Sequence, residues 1–568
     1  MTTSRNFSNY KLLLALTTSA LVALPMTANA VVIPDAARPE NIKRQLKIDQ
    51  RPTVSNKSII SVQDQDGKVI KGNVAFELKE VQVEGATQLN SGDIKQFYQD
   101  KIGKKITLAE LNKLAADITA YYRNKGFILT KAVVPPQRIN KGVAKLRIIE
   151  GFVSDVQLKG DVGGANSVLY KYAEKIKASK PLNAATLEHY LLLMEDLPGV
   201  EARAVLQPSP TVAGASQVIV NIKRNAAEGS TVSIDNRGTR YLGPVQATAI
   251  LAGNNLMGND EQTSIRVINT PLYHEELRYI GAHHEMQIGA QGTKLSLDAN
   301  FIQTRPGFTL EAFDVQGANY TFDAAVSHPL IRSRQTNWFI NSDFSVQRIN
   351  LASLGTNLYQ DNLRILKAGS TYDFVDSFDS VNRFEGNIAK GLNWDAGNHF
   401  LDHSRANGES SFWKFTARAT RIQPVYGSWS ASIAADGQYS AEPLFAAEEY
   451  TLGGQQFGSA FDPAEISGDS AIAGRFELQY NGTLNDIYLP SYQSYGFYDI
   501  GKVWNRDVRS SSEEKTASLA SAGLGARLNI SEAVTGNMEL AVPLTRKVSA
   551  SGEDGYAPRF FFGLQYRY

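Results

Sequence analysis

Three short stretches of the chain carry residue types and spacings that could do chemistry. His283-His284-Glu285 has the side chains of a metal site. LGGQQFGSAFDP, from Leu452 to Pro463, has the glycines of a phosphate-binding loop, of a lid, or of a segment that folds back into a cavity. Phe497-Tyr498-Asp499-Ile500-Gly501 sets one carboxylate among apolar residues. What each stretch can do depends on the elements that position it.

The first two stretches do not support an enzyme. Adjacent residues of a strand point to opposite faces, so His283 and His284 cannot hold one metal ion together. No Gly-Lys-Ser or Gly-Lys-Thr follows Gly453-Gly454, so the lysine and hydroxyl of a nucleotide site are missing. The chain has no cysteine, which excludes thiolate chemistry and disulfides. We predict no catalytic, cofactor or metal site, and no enzyme activity.

The N-terminus predicts export. Arg5 and Lys11 precede an apolar run from Leu12 to Leu24, and Ala28-Asn29-Ala30 has the pattern of a cleavage site. We predict a signal peptide over 1–30, cleaved after Ala30. The apolar run is too short to span a bilayer as a helix. With 58 basic and 57 acidic side chains the net charge is +1, which gives no field for nucleic acid.

Two copies of one α+β unit follow a polar segment over 31–75. Glu80 to Gly85 (EVQVEG) is echoed by Asp155 to Gly160 (DVQLKG). In the first copy a capping box at Thr107 and Glu110 starts a long helix. We predict two β-α-α-β-β domains, over 76–151 and 152–226. Within 31–75, Pro39 to Lys47 has the pattern of a short helix, with Ile42 and Leu46 on one face, and the remainder has that of a linker.

From residue 227 onward the pattern is that of strands. In Arg475 to Asn481, and again in Phe560 to Tyr568, apolar side chains alternate with polar or small ones, as in the wall of a transmembrane β-barrel. Long connections after odd-numbered strands, among them 350–361 and 440–472, predict outer loops. We predict a barrel over 227–568 with sixteen strands, at 229–237, 244–253, 262–270, 274–287, 293–303, 317–327, 336–349, 362–374, 379–391, 410–423, 428–439, 473–484, 493–501, 517–530, 535–545 and 558–568.

Specific motifs then carry a family resemblance. Tyr121-Tyr122-x-x-x-Gly126-Phe127, Asp235-Asn236-Arg237-Gly238 and Phe497-x-Asp499-x-Gly501 resemble motifs of the two-partner secretion transporters (TpsB), which export haemolysins and filamentous adhesins. The repeated units look like paired POTRA domains, periplasmic modules that bind unfolded polypeptide at a sheet edge. The resemblance implies a Gram-negative outer-membrane translocase that works without ATP. A barrel-assembly insertase and a passive porin are the alternatives.

The resemblance also implies a gate. In the family the longest outer loop, here 440–472, folds into the barrel and presents an arginine to the aspartate that matches Asp499. The loop motif is matched by Gly453, Gly454, Gly458, Ala460, Phe461 and Asp462, but Ser459 stands at the arginine position. Asp499 therefore needs another partner, either Arg475 or a weaker hydrogen bond with Ser459.

Further partners follow from the resemblance. The C-terminal Gly563, Tyr566 and Tyr568 look like the signal that barrel-assembly machinery reads during biogenesis. The expected partners are a large secreted β-helical exoprotein (an adhesin, cytolysin or contact-dependent toxin), outer-membrane lipid and that machinery, with no nucleic acid. Residues 34–47 would be the family's plug helix, with 48–71 as its tether.

Overall fold

A computed structural model describes residues 33–45, 54, 60–62, 75–212, 214–393, 402–484, 490–506, 508 and 514–568. The predicted signal peptide, its cleavage at Ala30 and most of the tether lie outside these residues. Residues Ile33–Tyr568 form one compact unit. No helix in the described ranges is long and apolar enough to cross a membrane.

The first α+β domain is built on a small sheet that one long helix covers. Leu111, Leu114 and Ile118 of that helix are buried in the domain core. Thr107 caps it by accepting a hydrogen bond from the amide of Glu110, as the capping box predicts. After α1 (Pro39–Gln45) and β1 (Ile60–Val62), its elements are β2 (Ala75–Glu77), β3 (Glu80–Glu84), α2 (Ser91–Lys95), β4 (Lys105–Thr107), α3 (Leu108–Asn124), β5 (Lys131–Val133) and β6 (Val143–Ile149).

The second domain repeats this plan and receives one extra strand. Its elements are β7 (Val153–Gly160), α4 (Val168–Ala178), α5 (Ala184–Glu195), β8 (Val200–Pro208) and β9 (Ser216–Arg224). The sheet order is β1-β8-β9-β7, so β1, which precedes the first domain in sequence, lies parallel to the edge of β8. Segment 60–62 therefore occupies a sheet edge of the second domain.

A closed barrel of sixteen antiparallel strands follows, which confirms the predicted fold. On β23, Phe476 and Leu478 face outward, whereas Glu477 and Gln479 are buried inside. The strands of this region are β10 (Thr231–Asp235), β11 (Gln246–Asn254), β12 (Gln262–Asn269), β13 (Leu277–Ile288), β14 (Thr293–Thr304), β15 (Gln316–Arg332), β16 (Thr336–Ser353), β17 (Thr356–Val375), β18 (Val381–Gly391), β19 (Trp413–Tyr426), β20 (Trp429–Ser440), the loop strands β21 (Tyr450–Leu452) and β22 (Ile466–Gly468), β23 (Ser470–Thr483), β24 (Ser491–Trp504), β25 (Thr516–Asn529), β26 (Val534–Pro543) and β27 (Arg559–Arg567).

The predicted long connection at 350–361 is wrong. β16 continues to Ser353 and β17 begins at Thr356, so only a two-residue turn joins them. This hairpin rises beyond its neighbour, because β18 ends where Gly391 pairs with Ile365. Its polarity is also reversed, with Ile349 buried inside and polar side chains outside. A prediction that requires apolar residues on the outward face therefore makes these two strands too short.

Candidate functional site

The loop between β20 and β23 folds into the barrel as a short hairpin. β21 pairs with β22 inside the loop, and Leu452, Phe457 and Phe461 are buried against side chains of the inner wall. Gly453 and Gly458 have φ angles of +113° and +90°, which side chains other than glycine rarely adopt. A Cβ at Gly458 would lie 2.7 Å from Leu519 on β25. The glycines thus serve a tight return against the wall.

Asp499 lies on β24 directly beneath the tip of this loop. Its side chain is fully buried, and it shares the inner face with Phe497, while Tyr498 and Ile500 face outward. Its carboxylate accepts hydrogen bonds from the Ser459 amide at 3.2 Å and from the Ser521 hydroxyl. Asp499 therefore binds the backbone of the loop tip, whereas the Ser459 hydroxyl donates to the Gln455 carbonyl at 3.4 Å.

The positive partner of Asp499 is Arg475, on the neighbouring strand β23. The two residues are opposite each other in the strand register, and Arg475 Nη1 lies 3.1 Å from Asp499 Oδ2. The same nitrogen donates to the Ser459 hydroxyl at 2.5 Å. Of the two predicted alternatives, the structure brings Asp499 together with Arg475 and adds the Ser459 amide.

Arg475 belongs to a larger charged network on the inner wall. It also contacts Glu477 at 2.8 Å and Glu539 at 3.5 Å. Arg527 of β25 pairs with Glu477 at 3.0 Å, and Tyr495 donates to Glu539 at 2.8 Å. Because buried charges are costly unless they are paired, each member depends on the others.

Two further arginines hold the loop tip from the ends of the barrel sheet. Arg237, just after β10, donates to the Ser459 carbonyl at 3.2 Å and to Glu539 at 2.8 Å. Arg559, at the start of β27, donates to the Ala460 carbonyl at 2.9 Å and pairs with Asp462 at 2.6 Å. Sequence reasoning missed both roles. Both arginines share the lumenal orientation of Phe561, and this alternation is the signal in the sequence that indicates their roles.

The other matched residues of the site lie close to this network. Gly501 follows Asp499 on the inner face, and a Cβ there would lie 2.6 Å from Leu452 of the loop. Gly454 has a φ of +87° and its amide donates to the Phe461 carbonyl at 3.2 Å. Gly501 and Gly454 thus allow the loop to pack closely against the wall.

The short helix α1 lies inside the outer half of the barrel. Glu40 accepts a hydrogen bond from Tyr359 of β17 at 2.7 Å, and the Ala36 carbonyl accepts one from Thr239 at 3.4 Å. Asp35 accepts a hydrogen bond from Ser467, at the base of the loop, at 2.5 Å. The segment from Asp35 through α1 and the loop therefore both lie inside the barrel, and they contact each other through Asp35 and Ser467.

The second α+β domain is fixed to the periplasmic rim of the barrel. Asp196 receives two hydrogen bonds from Arg332, both at 2.7 Å. Glu188 pairs with Arg334 at 3.1 Å. Arg332 is the last residue of β15 and Arg334 lies in the turn before β16, so the module that would receive a partner stands at the inner mouth of the pore.

The two histidines and the C-terminal residues lie apart from this network. His283 contacts Asp298 at 2.9 Å, whereas His284 contacts Thr263 at 2.9 Å on the other face of β13. Among the described residues no group of three or more His, Asp or Glu side chains is placed to share a metal ion. Gly563, Tyr566 and Tyr568 lie at the end of the chain, where Gly563 pairs with Asp235 of β10.

Comparisons with known proteins agree with this architecture. A family model of ShlB-type POTRA domains matches residues 76–151. The heme/hemopexin transporter protein HuxB of Haemophilus influenzae is 23% identical over 504 residues, which cover 84% of this chain and 86% of HuxB. The outer membrane transporter CdiB of Dickeya dadantii is 21% identical over 494 residues, covering 81% and 83% of the two chains.

Solved structures show the same fold. CdiB from Escherichia coli superposes with a TM-score of 0.72 at 18% identity, covering 89% of this chain and 93% of that one. CdiB from Acinetobacter baumannii gives 0.64 at 16% identity, over 95% and 100% of the two chains. The model of the haemolysin secretion/activation proteins ShlB/FhaC/HecB matches residues 214–528, more than half of the chain. The chain thus belongs to this family of outer-membrane transporters.

Proposed function

We propose that this chain exports one large partner protein, which it accepts unfolded at its POTRA domains and passes through the barrel without ATP. The observation that carries the proposal is the occupied bore. A loop and a helix fill it through noncovalent contacts, and a POTRA domain is fixed at its inner mouth. Such contents can move aside for a polypeptide and return afterwards.

The partner is a secreted exoprotein of the adhesin, cytolysin or contact-dependent toxin kind, rich in β-helix. An unfolded chain can add a strand to a sheet edge through main-chain hydrogen bonds, which require little sequence specificity. Folding of the partner outside the cell then drives its export. During biogenesis Gly563, Tyr566 and Tyr568 serve as the barrel-assembly signal, and the outer strand faces contact lipid.

Within this function the loop tip and Asp499 form the gate. The tip segment Gly458–Phe461 has no ionisable side chain, so the charge on Asp499 is compensated by Arg475 of the wall. The loop adds backbone hydrogen bonds and apolar packing, and these are contacts that a passing polypeptide can replace. Helix α1 is the second part of the closure.

Deletion of residues 76–226 tests the proposal. The variant is expressed beside the partner protein, its presence in the outer membrane is verified, and both partner secretion and single-channel conductance are measured. We expect secretion to be lost and conductance to remain. Continued secretion with altered solute permeability would favour a porin, and a general loss of other outer-membrane barrels would favour an insertase.

A further inference from the structure

The seam of the barrel, where its first strand β10 pairs with its last strand β27, is short. β10 has five residues, Thr231–Asp235, and they pair with Gly563–Arg567 of β27. β27 begins four residues earlier, at Arg559, so its outer half extends beyond the end of β10. The β10–β27 ladder therefore closes only the periplasmic half of the seam.

One backbone hydrogen bond and several side chains continue the seam where β10 ends. The Asn236 amide donates to the Phe562 carbonyl at 3.2 Å, and the Asn236 side chain bonds Phe562 N at 2.7 Å and the Phe560 carbonyl at 2.9 Å. One step further out, the guanidinium carbons of Arg237 and Arg559 lie 4.0 Å and 5.1 Å from the Phe561 ring centre. One arginine comes from each side of the seam, and both contact the same ring.

The loop tip joins these two arginines. Arg237 donates to the Ser459 carbonyl, and Arg559 donates to the carbonyl of the next residue, Ala460. Asp462, two residues after Ala460, pairs with Arg559 and is nearly fully buried. The tip thus supplies two adjacent acceptors, and Asp462 beside it supplies one negative charge, across the boundary between the first and the last strand.

We propose that the loop tip is a staple across the barrel seam, so that its withdrawal loosens the pairing of β10 with β27. Without the tip, Arg237 keeps Glu539, but Arg559 loses both its carbonyl acceptor and its counter-charge. Two cations would then share one aromatic ring without the Asp462 carboxylate. When the acceptor of a charged hydrogen bond is removed, the donor group is left without a partner. This cost to Arg559 favours an open seam.

This inference deepens the proposed gate and rests on it only in assuming that the loop moves during export. The seam contacts can be tested without any partner protein. The measurement is hydrogen–deuterium exchange of the full chain in lipid nanodiscs, followed in residues 231–237 and 559–565. A failure to secrete and a failure of the staple are therefore separate results.

Asp462→Asn removes the negative charge that pairs with Arg559 and keeps the side-chain shape. Glu448→Gln is the matched control, because Glu448 ties the start of the same loop to Lys414 of β19, away from the seam. We expect exchange in both seam segments to rise at least about tenfold in Asp462→Asn. Exchange there should stay at the wild-type rate in Glu448→Gln, and the β16–β17 hairpin should be unchanged in both.

Deletion of residues 455–462 keeps the test decisive if Asp462→Asn leaves the loop docked. This variant has no tip, so the seam must exchange faster if the tip holds it. Faster exchange at 231–237 in the deletion supports the staple. Wild-type exchange there would overturn it, as would an equal rise in Glu448→Gln.

Discussion

Arg475 and Asp499 face each other on neighbouring strands, with Arg475 Nη1 3.1 Å from Asp499 Oδ2. Both ends of this ion pair belong to the barrel wall. The inward loop places the Ser459 hydroxyl and amide beside the pair and contributes no charge there. The charges of the wall thus compensate each other before the loop docks. The strength with which the loop closes the barrel therefore depends on hydrogen bonds and packing.

Asp499→Asn removes one charge from the buried network. Arg475 then retains Glu477 and Glu539, and the Ser459 amide loses its charged acceptor. Removal of one partner of a buried pair costs about 3 to 5 kcal/mol. We expect more frequent channel opening in planar bilayers. Ser494→Ala, on the outward face of the same strand, is the control, and an unchanged opening frequency in Asp499→Asn would show that Asp499 is only structural.

Ser459→Arg should open the gate, although it restores the arginine of the family motif. The new guanidinium would meet Arg475, whose Nη1 is already 2.5 Å from the Ser459 hydroxyl. Like charges in a buried site repel, so we expect the loop to become accessible to protease.

The double variant Ser459→Arg with Arg475→Ser moves the charge from the wall to the loop. We expect this variant to regain much of the protease resistance. If Ser459→Arg alone closes the channel more tightly than the wild type, then the wall does not already supply the compensating charge.

The contact between the second α+β domain and the barrel should depend more on Arg332 than on Arg334. Arg332 makes a two-point contact with Asp196 and is nearly buried, whereas the Arg334 side chain is 36% exposed in its pair with Glu188. An exposed pair contributes about 0 to 1 kcal/mol, whereas removal of one partner from a buried pair costs more because it leaves the other charge buried and uncompensated. We expect Arg332→Ala to broaden spin-label distances between α5 and the barrel. Broadening of equal size in Arg334→Ala would contradict this assignment.

Strand β1 should compete with the partner for the edge of β8. It pairs with Ala204–Leu206, and a proline cannot donate a backbone hydrogen bond to such a ladder. In Ser61→Pro we expect the N-terminal segment of the partner protein to bind the full chain more tightly. Calorimetry measures the change, with Ser55→Pro, outside β1, as the control. Equal affinity in both variants would show that the partner uses another edge.

Much of the fold could be predicted because lipid imposes a simple rule on sequence. A strand such as Arg475 to Asn481 must alternate, and its loops must alternate in length, so strand number and direction follow. The rule fails where lipid is absent. The tip of the β16–β17 hairpin packs Ile349 inward and presents polar residues outside, so its pattern does not match that rule.

Most residues of the site could be predicted from the sequence, but fewer of the contacts between them could. The alternation of Phe497, Asp499 and Gly501 indicates a lumenal face, and the missing loop arginine directs attention to Arg475. Nothing local in the sequence brings Arg237 beside Arg559, because these residues are far apart in the chain and meet only when the barrel closes. Long-range partners of this kind require the fold.

Export through the bore requires the partner protein to pass close to the lumenal side chains of this barrel. Photo-crosslinking from neighbouring residues of β18 measures this, since Asn387 faces the lumen and Ile388, 46% exposed, faces outward. A partner stalled by a folded domain at its C-terminus should crosslink to a probe at position 387 and not at 388. Crosslinks from 388 alone, or from neither position while the stalled partner still crosslinks to the POTRA domains, would contradict the account.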